Sequence, residues 1–276
     1  MRFFAYSQLR RMQTVRLGDL AGPLRLSDSQ ERRLLSHLAR KGLIVRVIRG
    51  LYLVPSRLPL AGVWTPDDAL AITTLMQSAL QPIATKATGK TGQSGAGRYQ
   101  ICGPNAFNRY GFDDQVPART YLYNDRFSGD RQIGSICLTL IKVARPRLGS
   151  AEEVAAGDGL RLVYSSRVRT LVDAVYDWSR FDSLPRGYEW IRRELAARRI
   201  RVEDLVRDTL RFGNQGTIRR VGFLLEQEKI AEPLLRRLQK ALAPSSSLIP
   251  WIPNAPKRGK SSTRWGILDN RIGRSP

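Results

Sequence analysis

The chain contains very few side chains that could act as a nucleophile, a general base or a metal ligand. Its 276 residues include one histidine, His37, and two cysteines, Cys102 and Cys137. A Ser-His-Asp or Cys-His arrangement needs a histidine beside the nucleophile, and a structural zinc site needs about four Cys or His ligands. We therefore predict that the protein is not an enzyme, that it binds no metal or cofactor, and that both thiols are reduced.

Asp173 and Asp177 are the best remaining candidates for a pair of catalytic or metal-binding carboxylates, because they lie one helical turn apart. Such a pair could hold a divalent cation. Arg169 and Arg180 lie at spacings that favour surface ion pairs with the same two carboxylates. We interpret the four residues as a solvated, ion-paired helix face.

Residues 84–91, ATKATGKT, have the spacing of a phosphate-binding loop, with alanine in place of its first glycine. A working loop needs a buried strand before it and a helix after it, so that backbone N–H groups converge on phosphate. Gln81-Pro82-Ile83 precedes the stretch, and a glycine-rich run that extends to Gly97 follows it. We predict a surface loop that binds no nucleotide, in which Lys86 and Lys90 are available to nucleic-acid phosphate.

The strongest chemical signal is the polar face of a helix predicted between Ser27 and Gly42. Ser27 or Asp28 can cap its start, with Gln30 or Glu31 completing a capping box, and Gly42 can end it. An apolar stripe faces a small core and consists of Leu34, Leu35 and Leu38. At 100° per residue, the opposite face carries Ser29, Arg33, Ser36 and Arg40, flanked by Arg32 and His37. Side chains of these types read base edges in the major groove of DNA.

The elements around this helix have the order of a winged helix-turn-helix. Two shorter helices are predicted before it, at residues 3–13 and 17–21, the second ending at Gly22-Pro23. After Gly42 the apolar period changes to two, and residues 43–48 and 51–54 are predicted strands joined at Arg49-Gly50. In this arrangement the third helix enters the major groove, and Arg46 and Arg49 on the hairpin touch the flanking backbone.

The charge of the chain also indicates a polyanionic partner. Lys and Arg number 46 against 24 Asp and Glu, a net charge of +22, and residues 1–58 alone hold 12 against 3. Nucleic acid is favoured because neutralised phosphates release counterions. Neither a run of 18 apolar residues nor a basic amphipathic helix at either end is present, which predicts a cytoplasmic protein without membrane binding. A helix-hairpin packing module with merely solvated arginines is the alternative.

The prolines and glycine at positions 55, 59, 62 and 66 predict a linker. We therefore predict an α+β protein with a winged helix-turn-helix at residues 1–58 and a larger mixed domain at residues 66–276. A candidate partner-binding surface on the second domain combines charge with Trp251 and Trp265 and consists of Arg169, Asp173, Lys257, Arg258 and Lys260. The alternative is that both tryptophans belong to an ordinary core.

Six stretches together resemble the AbiEi family of abortive-infection antitoxins. They are residues 35–44 (LSHLARKGLI), 46–55 (RVIRGLYLVP), 103–112 (GPNAFNRYGF), 115–119 (QVPAR), 169–173 (RTLVD) and 265–270 (WGILDN). The resemblance implies a bacterial transcriptional autorepressor that binds inverted repeats in its own promoter. It also implies the antitoxin of a toxin-antitoxin system in phage defence, which counteracts a nucleotidyltransferase toxin encoded beside it.

Two hypotheses remain from the sequence. The first is a two-function regulator and antitoxin whose partners are double-stranded DNA and the cognate toxin. The second is a nucleic-acid-processing enzyme or an RNA-binding protein that uses the basic surface, with Asp173 and Asp177 as its carboxylates. Metal-dependent activity on nucleic acid discriminates them.

Overall fold

The computed structural model of the chain describes residues 2–57, 62–78 and 98–271. These residues form an α+β fold with eleven α-helices and three sheets. The fold divides into two compact units. Unit 1 comprises residues 1–99, 118–145 and 153–163, and unit 2 comprises residues 100–117, 146–152 and 164–276. The predicted division into independently folding domains at residues 1–58 and 66–276 stays a prediction.

The first part of unit 1 consists of three helices and three short strands. In chain order they are α1 (Arg2–Leu9), β1 (Thr14–Arg16), α2 (Ala21–Leu24), α3 (Asp28–Arg40), β2 (Val45–Ile48) and β3 (Leu51–Leu53). Strand β3 is central and pairs antiparallel with both β1 and β2. The core beneath the sheet is apolar and contains Phe3, Phe4, Val15, Leu20, Leu35, Leu38, Ile44, Tyr52 and Val54.

Helix α3 begins and ends where the sequence predicts. The Ser27 hydroxyl accepts from the Gln30 backbone N–H at 3.3 Å, and the Gln30 side chain accepts from the Ser27 N–H at 2.8 Å, which is a complete capping box. Gly42 follows the helix with φ 69°. A Cβ at Gly42 would lie 2.7 Å from the side chain of Val63, so the position requires glycine on both conformational and steric grounds.

Two details of this region differ from the sequence prediction. Strand β1 is not predicted from the sequence, because its three residues pair with the distant strand β3, and the paired residues Thr14 and Leu53 are 39 residues apart in the chain. Helix α2 begins at Ala21, where the predicted helix ends, and it includes Gly22 and Pro23. Proline is compatible with the first turn of a helix because the N–H groups there have no intrahelical acceptor.

The remainder of unit 1 contains helix α4 (Asp68–Ser78) and the strands β5 (Thr120–Asn124), β6 (Gly129–Ile133) and β7 (Ile136–Lys142). Strands β6 and β7 form an antiparallel hairpin, and β5 runs parallel to β7. Val45 of β2 lies against the turn of this hairpin, because a Cβ at Gly134 would be 3.4 Å from its methyl groups. Strand β2 is therefore supported within unit 1 by residues far along the chain.

Unit 2 is mainly helical. It contains α5 (Pro104–Arg109), α6 (Arg167–Tyr176), α7 (Trp178–Phe181), α8 (Arg186–Ala196), α9 (Val202–Phe212), α10 (Gln215–Gln227) and α11 (Glu232–Lys240). Helix α6 contributes Leu171, Val172 and Val175 to the core, and these positions share one face of the helix. Three strands, β4 (Tyr99–Ile101), β8 (Ala151–Ala155) and β9 (Arg161–Ser165), cross the boundary between the units in sequence.

The C-terminal segment of unit 2 forms a small three-stranded sheet. Its strands are β10 (Ile249–Pro250), β11 (Lys260–Ser262) and β12 (Ile267–Asp269), in the order β10-β12-β11. Trp265 lies so close to α10 that a Cβ at Gly222 would be 2.1 Å from its ring. Trp251 and Trp265 are both buried, so the alternative that they belong to the core is confirmed and their role as exposed anchors was wrong.

None of the helices within residues 2–57, 62–78 and 98–271 combines the length and the apolar character that crossing a bilayer requires.

Candidate nucleic-acid interface

The polar face predicted on α3 is exposed along its whole length. The side chains that it presents to solvent are Ser29, Arg32, Arg33, Ser36, His37 and Arg40. An open concavity of about 690 Å³, the α3 groove, is lined by Arg33, Leu34, Ser36, His37 and Arg40. Leu35 and Leu38 point the other way into the core. The capping box and the apolar stripe together fix which side chains reach solvent.

A second concavity lies between α3 and the β2–β3 hairpin and brings residues from both elements together. This notch, of about 230 Å³, is lined by Leu17, Arg32, Ser36, Arg46, Arg49, Gly50 and Tyr52. Three of the lining side chains are guanidinium cations and none is a carboxylate. The Arg46 side chain donates to the carbonyl of Ile48 at 3.3 Å, which holds it beside the turn. The cationic lining suits a phosphate group.

The arginines of this surface are available to a partner. Within the part of the chain that the structure describes, Arg32, Arg33, Arg40 and Arg49 form no ion pair. Many arginines elsewhere are committed to carboxylates, for example Arg201 and Arg207 on both sides of Asp204. The difference leaves a concentrated positive charge on one side of α3 and the hairpin.

Glu31 fixes the position of α3. The sequence offers this residue only as a candidate member of the capping box. Its side chain is fully buried on the core side of the helix. The carboxylate accepts from the backbone N–H of Gly18 at 2.9 Å and of Leu20 at 3.0 Å. The bond to two amides between β1 and α2 compensates burial of the charge. Glu31 therefore ties α3 to the segment that precedes it.

We expect Glu31→Ala to lower the free energy of unfolding by about 1 to 3 kcal/mol, since the buried N–H of Leu20 and the part-buried N–H of Gly18 lose their acceptor. Glu31→Gln keeps an acceptor oxygen and should cost less. Urea unfolding monitored by circular dichroism measures both changes. Equal stability of the alanine variant and the wild-type chain would show that this carboxylate does not hold α3.

The predicted partner surface is corrected at two of its five residues. Arg169 and Asp173 are both 0% exposed, so the prediction that they lie on an open surface was wrong. Arg169 Nε is 2.9 Å from Asp173, and its other nitrogens donate to the carbonyls of Arg147 and Gly149. Arg147 also pairs with Asp173, at 3.0 Å. Burial is tolerated because both charges are paired and hydrogen-bonded.

The interpretation of Asp173 and Asp177 as a shared solvated face fails for the same reason, because the structure buries Asp173 among arginines. Within the described residues, no group of three or more His, Cys, Asp or Glu side chains could hold a metal ion. The phosphate-loop-like stretch at residues 84–91 and the glycine-rich run to Gly97 lie outside the described residues.

Lys257, Arg258 and Lys260 are exposed, as their part in the partner surface requires. Lys257 and Arg258 lie in the loop between β10 and β11, and Lys260 is the first residue of β11. This basic loop, residues 257–260, is held in place by a buried side chain. Asn270 donates to the carbonyls of Ile252 at 2.9 Å and Pro256 at 3.1 Å. The WGILDN stretch therefore has a structural role here: Trp265 fills the core and Asn270 fixes the basic loop.

Comparison with known proteins gives a fold and no function. No protein-family model matches the chain, and no curated protein matches it. Among solved structures, the chain is similar to the crystal structure of the RV2827C protein from Mycobacterium tuberculosis, with a TM-score of 0.54 and 14% identity. The similarity covers 96% of this chain and 89% of that chain, so the α+β fold is shared along nearly the whole length.

Proposed function

We propose that the chain is a sequence-specific DNA-binding transcriptional regulator whose first 58 residues act as a winged helix-turn-helix. The observation that carries the proposal is the notch, where Arg32 of α3 meets Arg46 and Arg49 of the hairpin without a lining carboxylate. In this proposal the β2–β3 hairpin is the wing, and α3 is the recognition helix.

The two concavities suggest two kinds of contact with the duplex, base contacts from the α3 groove and phosphate contacts from the notch. Side chains of the α3 groove, among them Arg33, Ser36 and Arg40, have the N–H donors and the hydroxyl that suit base edges in a major groove. The cations of the notch have the charge suited to the phosphate backbone beside that groove. Phosphate contacts of the notch would set the register in which the groove residues meet the bases.

Because the notch is assigned to phosphate contacts, changing one of its arginines should alter the salt dependence of DNA binding. Arg49→Ala removes one phosphate contact, so it should weaken binding to all duplex sequences alike. It should also reduce the slope of log K against log salt by about 1. Fluorescence anisotropy with a labelled duplex at four salt concentrations measures the slope. Arg57→Ala is the matched control, because Arg57 is exposed in unit 1 but lines neither concavity. An unchanged slope for Arg49→Ala would remove the notch from the interface.

We further propose, from the family resemblance of the sequence, that the chain is an antitoxin that counteracts a nucleotidyltransferase toxin. The basic loop at Lys257, Arg258 and Lys260 is the part of the proposed partner surface that remains exposed. The antitoxin function is assigned to residues from about 66 onward and does not need DNA binding.

Co-expression with the toxin gene beside its own tests this second function. The full chain and its Arg33→Ala/Arg40→Ala variant should restore growth equally, because the variant alters only the α3 groove. Rescue by the wild-type chain but not by this variant would show that protection depends on DNA binding. Failure of both to rescue would contradict the antitoxin assignment and leave the DNA-binding proposal standing.

A further inference from the structure

An exposed arginine of unit 2 is held against two tyrosine rings. Arg109 is the last residue of α5, and its guanidinium carbon lies 4.9 Å from the ring centre of Tyr164 and 5.9 Å from that of Tyr110. A ring face beneath a guanidinium restricts its rotation and stabilises it by a cation–π interaction. The flat cation of Arg109 is therefore oriented before any partner arrives.

One of the two rings that support Arg109, that of Tyr110, is itself held in place. The Tyr110 hydroxyl lies 2.9 Å from the carbonyl oxygen of Ser165 and 3.1 Å from the carboxylate of Glu152. Burial and the neighbouring Glu152 raise the pKa of Tyr110 to about 12, so the phenol stays protonated and can donate. Arg167 lies 4.8 Å from the centre of the Tyr110 ring. Tyr110 is thus held at its hydroxyl and against its ring.

Arg109 differs from several other arginines of unit 2 because it is not ion-paired with a carboxylate. Arg167 is paired with the buried Glu194 at 2.9 Å, and Arg186 is paired with Asp113 at 2.9 Å. Arg193 donates to the carbonyl of Gly111 at 3.0 Å. Among the residues that the structure describes, Arg109 forms no ion pair. The neighbouring arginines bind groups of this chain, whereas the charge of Arg109 is available to a partner.

The chemistry of this arrangement favours an unpaired nucleobase. Single-stranded nucleic acid is bound by stacking its splayed bases on aromatic rings or on arginine guanidinium planes, while cations attract the backbone. Unit 2 supplies the charge, with 25 Lys and Arg against 15 Asp and Glu. Paired bases in a duplex are stacked on each other and do not offer a free face. An acidic protein would need only the charge and not the support of two rings.

We propose that Arg109, supported by Tyr110 and Tyr164, is a contact for single-stranded nucleic acid that stacks one unpaired base on its guanidinium. This site is separate from the α3 groove and the notch, and it does not depend on the DNA-binding proposal. The partner is single-stranded RNA or single-stranded DNA, which share the stacking chemistry.

Three full-length variants test the proposal. Arg109→Gln removes charge and plane, Arg109→Lys keeps the charge but removes the plane, and Arg198→Gln removes a different exposed charge of unit 2. The probes are labelled 12-nucleotide oligo(U), oligo(dT) and a 12-base-pair duplex, followed by fluorescence anisotropy. Circular dichroism checks that each variant is folded, which is expected because the side chains are exposed.

We expect both Arg109 variants to bind at least one of the single strands 5- to 100-fold more weakly than the wild-type chain, with Arg198→Gln changing the affinity less than 2-fold. Duplex binding should stay unchanged in all three variants. If the Arg109 variants lose more affinity for oligo(U), the preferred ligand is RNA; if they lose more for oligo(dT), it is single-stranded DNA. Single-strand binding by Arg109→Lys with wild-type affinity would show that only the charge matters and would overturn the proposal. Absence of single-strand binding by the wild-type chain would also overturn it.

Discussion

Arg33→Ala should weaken binding to the preferred duplex of this chain by about 1 to 3 kcal/mol, roughly 5- to 150-fold, and change binding to random duplex far less. The reason is that Arg33 lies exposed in the α3 groove without an ion pair among the described residues, where its guanidinium can contact a base edge. Arg40→Ala, on the same face, should behave in the same way. The preferred duplex is obtained by selecting random sequences with the full chain.

Competition titrations with selected and random duplex separate base reading from general attraction. Arg57→Ala serves as the control, since it removes an exposed charge of unit 1 outside the groove. Equal losses of affinity for both duplexes in Arg33→Ala would assign the residue to phosphate contact. Such a result would contradict its role in sequence recognition and leave α3 as an electrostatic surface only.

Asp173→Ala should lower the free energy of unfolding by about 3 to 5 kcal/mol, more than the loss of Glu31 or of an exposed ion pair. Asp173 is fully buried and pairs with Arg169 at 2.9 Å and with Arg147 at 3.0 Å. Alanine would leave the buried Arg169 cation without its counter-ion, and a charge in a low-dielectric interior is costly. Urea unfolding of full-length protein measures the change.

Two comparisons show whether the loss comes from the unpaired charge. Arg169→Met/Asp173→Leu removes both charges together and should be more stable than Asp173→Ala. Glu153→Ala breaks the exposed ion pair with Arg161 and should cost about 1 kcal/mol or less. A loss in Asp173→Ala no larger than in Glu153→Ala would contradict the structural role given to the buried pair.

The parts of the fold that follow local rules could be predicted from the sequence. The capping residues Ser27 and Gln30 and the glycine at position 42 bound α3, and the change of period after it gives the two hairpin strands. The exposed face of α3 follows from the position of its leucines. In each case the determining residues lie within about one or two turns of each other.

The parts that depend on distant contacts could not be predicted. Arg169 and Asp173 have the spacing of a surface ion pair, and only the carbonyls of Arg147 and Gly149 make their burial possible. Glu31 resembles a cap residue because its true partners, the amides of Gly18 and Leu20, are 13 and 11 residues away. Spacing along a helix reports which side chains share a face, not what covers that face.

The notch shows the same limit at the candidate site. The sequence assigns Arg32 to the edge of the α3 face and Arg46 and Arg49 to the hairpin, without a reason to join them. The structure places all three around one concavity of about 230 Å³. Their convergence depends on how the sheet order β1-β3-β2 sets the hairpin beside α3.

Chemical footprinting of arginines in the unaltered chain shows whether the α3 groove and the notch bind duplex DNA. Phenylglyoxal modifies accessible guanidinium groups, and mass spectrometry of peptides reports each position with and without saturating selected duplex. We expect duplex to protect the arginines of the α3 groove and the notch, which are Arg32, Arg33, Arg40, Arg46 and Arg49. Arg57 and Arg198 should stay reactive as exposed references. Unchanged reactivity of the five groove and notch arginines, at a duplex concentration that saturates binding, would contradict the claim that this surface binds DNA.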